Sequence, residues 1–226
     1  MRSKIVVLTG AGISAESGLK TFRDTNGLWE NHPIEQVATP QGWHSNPKRV
    51  LDFYNQRRLD IKNAKPNTAH QALVELERQF EVVIITQNID DLHERAGSSK
   101  VLHIHGEIIK ARSTKKSDCI HTIGYQPIYW GDTAADGSQL RPHIVWFGEE
   151  VFDYSLALAH MQNAHKVLII GTSLQVFPVA SLSDEARFDA EKIVVAKELD
   201  TLPDGYTYIQ GAAGQCVPKI VKRWLE

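Results

Sequence analysis

Cysteine is scarce in this chain: only Cys119 and Cys216 occur among 226 residues, far apart in sequence. Scaffolds held together by disulfides are cysteine-dense, so that class is excluded and a reducing cytoplasm is the expected compartment. Long hydrophobic runs are missing too. The N-terminal KIVVLTG and the later VLIIG are too short for a signal-peptide core or a membrane span of about 20 residues, so no membrane partner is expected. There is no basic excess: 25 Lys and Arg against 27 Asp and Glu give a formal net charge of −2. Nothing in that balance would release counterions from a nucleic acid, and no nucleic-acid partner is expected. Repeats and low-complexity tracts are absent as well. What remains is an ordinary globular composition, 42% hydrophobic and 23% charged, long enough for one unit with a smaller inserted lobe. The oligomeric state is left open, with a monomer favoured.

Short β-branched runs alternate with amphipathic segments, the pattern of βαβ units around a parallel sheet. Ile5–Thr9, Val82–Thr86, Val167–Gly171 and Ile193–Ala196 are nearly continuous in apolar residues, as strands covered on both faces should be. Val101–His105 and Ile144–Phe147 carry a weaker strand signal. The stretch from Gly10 to Glu81 is expected to hold helices and no strand: one from Pro47 to Lys62, another opening at Thr68 with a Thr68/Gln71 capping box. From about Ile108 to Leu140 the chain is polar and turn-rich, which reads as a small lobe or long excursion from the main sheet.

The first strand runs directly into Gly10-x-Gly12-x-x-Ala15. Such a turn lets backbone approach a pyrophosphate while a following helix presents free N–H groups to it. A tight strand-to-helix turn without any ligand explains the same residues. A dehydrogenase expects a second strand ending in an acidic residue about 20 residues on. Here that region reads TFRDTNGLWENHP, a loop carrying Phe22, Arg23 and Trp29 that suits folding over a bound molecule instead.

TQNIDDLHERAG follows the second strong strand. Ligands in open α/β sheets sit outside the carboxyl ends of strands, which brings Gln87, Asn88 and Asp90 toward the glycine turn. Two amides and a carboxylate suit a carboxamide and ribose hydroxyls; Asn88 or Asp90 as a cap for the next helix is the plainer alternative. In VLHIHGE, His103 and His105 fall on one side of a strand. His105, before a glycine at the strand's end, suits a general base. A structural histidine is an open alternative, as is a metal pair with Cys119-x-His121, although paired C-x₂₋₄-C spacings are missing.

GAGISAESGLKTFRDTNGLW (Gly10–Trp29), TQNID, HGE, RPHIVWFGE (Arg141–Glu149), GTSLQVFP (Gly171–Pro178) and GAAGQCVPKIV, in this order, resemble the sirtuin family over nearly the whole chain. The resemblance implies an α/β fold: a doubly wound, mostly parallel, Rossmann-like sheet that binds NAD⁺, with a small inserted lobe. The large part would span about 1–30, 70–106 and 141–226, the lobe about 31–69 and 107–140. It implies NAD⁺-dependent removal of acyl groups from protein lysines, releasing nicotinamide and O-acyl-ADP-ribose. In that chemistry the acyl oxygen attacks the electron-poor ribose carbon, and His105 helps a ribose hydroxyl attack the resulting imidate. Gly10, Ala11, Gly12, Ile13 and Ser14 would line the phosphate site, with Phe22, Arg23 and Trp29 on the closing loop. Gln87, Asn88, Ile89 and Asp90 would hold the nicotinamide ribose and carboxamide, Asn88 and Asp90 serving with His105 in catalysis. Gly171, Thr172 and Ser173 would contact the adenosine half and Ala213 the adenine. Val145, Trp146 and Phe147 would form a strand beside which the substrate peptide lies. Acylated-lysine proteins or peptides are the implied partners.

Three departures or refinements accompany the resemblance. LDFYNQRRLD places Tyr54 and Arg57 at i, i+3 on one helix face, similar to the sirtuin subclass that removes succinyl and malonyl groups; a hydroxyl and a forked guanidinium together suit a carboxylate. A surface helix with solvated Arg57 and Arg58 is the plainer reading. Where many family members carry a ribose-contacting asparagine, this chain has Ala196-Lys197-Glu198. Finally, most sirtuins have two C-x-x-C zinc pairs on the lobe; here Ser113 stands near one expected cysteine and YWGDTAADGSQ has none. No zinc is expected, and the lobe should be packed around Ile120, Ile123, Tyr125, Tyr129 and Trp130. ADP-ribosyl transfer and a non-enzymatic NAD-binding regulatory module are the alternatives to deacylation.

Overall fold

A computed structural model describes residues 2–20, 28–29 and 32–226 of the protein. The chain opens with β1 (Lys4–Thr9), buried along all but its first residue. Two short 3₁₀ turns follow, Ala11–Ile13 and Ala15–Ser17, the second stopped by Gly18 in the left-handed region. Two-residue strands β2 (Leu28–Trp29) and β3 (His32–Pro33) then pair antiparallel. This corrects the expectation of a strandless stretch, since a two-residue ladder is too short to leave a periodicity in sequence. Helices α1 (Ile34–Val37), α2 (Pro40–Ser45) and α3 (Pro47–Asn63) come next. Asn46 caps α3 by accepting from the Arg49 N–H, with Pro47 at the first helical position. α4 (Thr68–Leu76) starts one residue earlier than expected in its capping: Asn67 accepts from Ala69 N, and His70 Nδ1 accepts from Asn67 N. Thr68 donates its hydroxyl proton to the Gly214 carbonyl instead.

Beyond α4 lie β4 (Glu81–Thr86), α5 (Leu92–Ala96) and β5 (Val101–His103). The excursion holds β6 (Gly106–Ser113), β7 (Ile120–Thr122) and β8 (Leu140–Ile144). α6 (Tyr154–Gln162), β9 (Lys166–Ile170), a 3₁₀ segment Val179–Glu185, β10 (Glu191–Ala196), β11 (Thr207–Gln210) and α7 (Ala213–Leu225) complete the chain. Among the described residues no helix is long and apolar enough to cross a membrane.

Six strands form one parallel sheet in the order β11-β10-β9-β1-β4-β5. Alternate residues of β1 feed opposite cores: Ile5 and Val7 pack with Leu73 and Leu76 of α4 and Val217 and Ile220 of α7. Val6 and Leu8 pack with Ala157 and Met161 of α6 and with Val179 and Leu182. Both faces of the sheet are therefore covered, the doubly wound α/β arrangement. A second sheet, β7-β6-β8, is antiparallel, with a bulge between Gly106 and Ala111.

Two expectations for this region are corrected. The strand expected over Ile144–Phe147 ends at Ile144, and 145–147 run on as irregular chain. The lobe is packed around only part of the expected set: Ile123 and Tyr125 pack against buried clusters, but Ile120, Tyr129 and Trp130 are 44%, 61% and 55% exposed. Its apolar contacts come from Ile108 and from Ala111 and Ile128, which meet Phe53 and Leu51 of α3. β6 is long enough to bury one face on a helix; the turn aromatics lie at the hairpin's outer edge.

Candidate active site

The carboxyl ends of β1, β4, β9 and β10 meet around one cavity of about 730 Å³, within the range of small-molecule sites. Two glycine turns form its floor. Gly10 N donates to Ile170 O at 2.9 Å and Gly12 N to Gly171 O at 2.8 Å. A Cβ added at Gly12 would lie 2.7 Å from Gly171 Cα, and Gly171 has φ +63. The glycines thus let the turns after β1 and β9 interlock, leaving backbone at the surface of the cavity. The α-helix expected after the first turn is replaced by the two 3₁₀ turns. Every described residue expected at the site lines this cavity except Gly10 and Ile13. Gly10 is packed behind against Thr172, and Ile13 is fully buried in the core under α4. Phe22 and Arg23 lie outside the described residues. Gln175, Val176, Phe177 and Asp200 also line the cavity. Of these the first three sit inside the GTSLQVFP motif, which gave them no signal of their own.

Past β4 the chain is pinned by side chains. Asn88 N donates to Thr86 Oγ1 (3.0 Å), which also accepts from Thr9 Oγ1 (2.8 Å), and His93 Nε2 lies 3.1 Å from Thr9 Oγ1. The Asn88 amide donates to Gly10 O at 3.1 Å. Asp90 accepts from Ser14 Oγ (3.0 Å) and from Leu92 N (3.1 Å), so it ties the glycine turn to the start of α5. Asp90 thus lines the cavity and also holds the first N–H of α5, whose cap position is Asp91. Burial raises the Asp90 pKa against the opposing hydrogen bonds from Leu92 and Ser14. Gln87 Nε2 is buried without a hydrogen-bond partner, an uncompensated donor beside the cavity.

His103 and His105 hydrogen-bond successive carbonyls through Nδ1: Asn88 O and Gln87 O, both at 3.1 Å. A carbonyl only accepts, so each Nδ1 is protonated. His103 Nε2 also lies 2.7 Å from Glu94. Burial opposes its charge, but Glu94 outweighs it and raises the His103 pKa. His105 has no such partner; burial lowers its pKa despite the Gln87 bond. The first ring is pushed toward its charged form, and the second toward the neutral imidazole with its lone pair on Nε2.

On the opposite wall the N–H groups of Val145, Trp146 and Phe147 are spent internally, on His105 O (2.9 Å), Glu149 Oε2 (2.8 Å) and Ala38 O (3.0 Å). An incoming extended peptide has no donor from these three residues. From α3, Tyr54 and Arg57 reach the same cavity, 0% and 5% exposed. Arg57 Nη1 lies 3.6 Å from Asp60, while Arg58 is turned inward, donating to Ile108 O at 2.9 Å. The solvated-surface reading of this helix is therefore set aside.

At the tip of the antiparallel sheet, Ser113 Oγ donates to Asp136 (2.7 Å), lies 2.6 Å from Ser138 Oγ, and accepts from Lys115 N and Lys116 N (2.9 Å each). Hydrogen bonds from Ser138 and Ser113 lower the Asp136 pKa to about 2. Among the described residues no three His, Cys, Asp or Glu are gathered closely enough to hold a metal ion.

The profile of the Sir2 family matches residues 10–178. A Helicobacter pylori protein named NAD-dependent protein deacylase is 56% identical over 186 residues, 82% of this chain and 81% of that protein. Among solved structures, a Sir2 homologue variant in complex with ADP-ribose superposes with a TM-score of 0.90 at 36% identity, covering 98% of this chain and 91% of the other. A Sir2–p53 peptide–NAD⁺ complex superposes at 0.79 with 28% identity, covering 99% and 94%. A match over most of the chain, on the segments that form the cavity, assigns it: the chain belongs to the Sir2 family, the sirtuins.

Proposed function

We propose that this protein is an NAD⁺-dependent protein-lysine deacylase that removes succinyl and malonyl groups as well as acetyl. One observation carries the reading: a single cavity joins the glycine floor, a neutral His105 and a buried arginine, Arg57. The fit to NAD⁺ rests on the bare backbone of the interlocked glycines, where a Cβ would collide with the facing turn, and on the unpartnered Gln87 Nε2. Bound NAD⁺ supplies a ribose carbon already made electron-poor by a cationic leaving group. Ala11, Gly12 and Ser14 then face the phosphates, Gln87 to Asp90 the nicotinamide half, and Gly171 to Ser173 with Ala213 the adenosine. Glu198 and Lys197, at the end of β10, stand where the family's asparagine meets the adenosine ribose. His105 accepts the proton of a ribose hydroxyl through Nε2, and nicotinamide and O-acyl-ADP-ribose leave.

Arg57 gives the acyl preference. A guanidinium kept from water on a cavity wall favours a ligand that brings a carboxylate. The substrates are acylated-lysine proteins, and the protein acts as a cytoplasmic monomer without nucleic-acid or membrane partners. The test is NAD⁺-dependent release of nicotinamide and free lysine from matched acetyl- and succinyl-lysine peptides. Wild-type protein should process both. Arg57→Met should cut succinyl kcat/KM relative to acetyl by about 10- to 100-fold, the range for a lost charge-assisted pair. Equal loss on both peptides removes the acid pocket; nicotinamide release without deacylation moves the protein to ADP-ribosyl transfer, and no release to a binding module.

A further inference from the structure

Tyr54 is wholly buried, yet its hydroxyl has a defined polar contact: Trp146 Nε1–H donates to Tyr54 Oη at 3.0 Å. An indole nitrogen only donates, whereas a phenol both donates and accepts. With an accepting position taken, the hydroxyl still has its own proton to give, and among the described residues no acceptor for it is found. Burial raises the Tyr54 pKa well above its ordinary value, so the proton is present at neutral pH. Tyr54 lines the cavity together with Arg57 one helical turn away.

Trp146 is itself held from every side. Its ring lies 3.3 Å beneath the Arg141 guanidinium carbon, and Trp43 packs 5.6 Å away between ring centroids. Glu149 accepts from Trp146 N at 2.8 Å and from both Arg141 terminal nitrogens at 2.6 and 3.0 Å, with Arg112 at 3.2 Å. A carboxylate that grips both the backbone of Trp146 and the cation stacked on its ring leaves the indole one orientation. The Glu149–Arg141 pair thus fixes the indole, and the indole fixes the phenol.

We infer that Trp146 is a specificity-determining positioning residue, whose indole N–H turns the Tyr54 hydroxyl so that its proton faces the acyl cavity and meets a carboxylate-bearing acyl tail. This rests on the acid-pocket reading above. An acetyl group brings no carboxylate for that proton, so loss of the indole N–H weighs on acidic acyl groups first.

The measurement is kcat and KM on succinyl- and acetyl-lysine peptides for Trp146→Phe, Tyr54→Phe, the double variant and Arg57→Met. Phenylalanine keeps an aromatic ring for Arg141 to stack on and removes the pyrrole edge of the indole with its N–H. Trp146→Phe should lower the succinyl-to-acetyl ratio of kcat/KM about fivefold, the scale of one neutral hydrogen bond, mainly through KM. Tyr54→Phe should lower it at least as far, and the double variant no further, because the two groups act as one unit. Equal loss on both peptides, or additive effects of the two variants, makes Trp146 a packing residue and overturns the inference. A ratio that falls in Arg57→Met but not in Trp146→Phe overturns the inference and keeps the pocket. A ratio unchanged in Arg57→Met overturns both. Should Trp146→Phe fail to fold, ¹⁵N-indole exchange decides. The Trp146 N–H should exchange several-fold faster in Tyr54→Phe, and slower in wild type when succinyl peptide with NAD⁺ replaces acetyl peptide with NAD⁺, since a phenol donating to a carboxylate accepts more strongly. Identical exchange in all these states overturns the inference.

Discussion

A carbonyl 3.1 Å from Nδ1 fixes which nitrogen of His105 carries the proton, and burial, outweighing the upward pull of that bond, keeps the ring from taking another. A base works when deprotonated, so rate is lost as pH falls through its pKa. Because burial depresses that pKa, the acid limb of kcat/KM should lie below the ordinary histidine value of about 6.5. His105→Ala should remove the limb and lower kcat by about 10²- to 10⁴-fold, while NAD⁺ binding, followed by calorimetry, is retained. A limb that stays in the variant would assign the titration elsewhere. His103, two residues earlier at the end of β5, makes the same kind of carbonyl contact, but Glu94, nine positions back across a loop, pulls its pKa upward. The sequence pattern H-x-H made both rings visible and could not separate them, because the partner that divides them is set by tertiary contact.

Elements were legible where burial is matched by a run of apolar residues. β1, β4, β9 and β10 are covered on both faces and read directly as apolar runs. β11 and β7, with exposed ends, carry mixed patterns that a turn-rich composition hides, and β8, although buried, holds Arg141, Pro142 and His143 and so shows no apolar run. The GAGISAESG run read as a helix start; Gly18 and the short polar residues stop it as two 3₁₀ turns. Ser113 shows what a motif's absence conceals. Read against the family, it marked a missing cysteine; in space it is a hub accepting two backbone N–H groups and donating to Asp136. Those bonds link the 113–119 turn to the 134–138 turn. Ser113→Ala leaves the two N–H groups short of a partner and should cost about 1–3 kcal/mol in urea unfolding. Dialysis against a chelator should leave the wild-type melting temperature unchanged. Stoichiometric zinc in the purified protein, with destabilisation on its removal, would reject this account of the small sheet.

Across the whole molecule, stability should depend on pH through histidines that no reaction uses. His70 is fully buried between α4 and α5, its ring centroid 4.9 Å from that of His93, and His143 is stacked on Phe152. Burial lowers the pKa of His70 and of His143 to about 4, and that of His93 well below the ordinary value. Between about 6.5 and about 4 the unfolded chain binds protons at these sites and the folded chain does not, so folding weakens as pH falls through that window. Each such group contributes up to about 1.4 kcal/mol per pH unit, and His70 with His143 alone lowers stability by roughly 3 kcal/mol between pH 6.5 and 5, against a typical total of about 5–15 kcal/mol. The raised pKa of His103 acts at the other end: its contribution is full below about 6.5 and is lost as pH rises through its folded value. Carboxylates with lowered pKa, such as Glu149 and Glu94, add their losses only below about 4.5. Asp90, raised by burial, offsets part of the histidine effect at the acid end. The window between 4.5 and 6.5 therefore belongs mainly to the buried histidines. Urea midpoints measured across it should fall steadily, and His70→Gln, which keeps an acceptor for Asn67 N, should flatten the slope by about a third to a half. An unchanged slope in that variant would mean that His70 takes up its proton without unfolding the helices that enclose it.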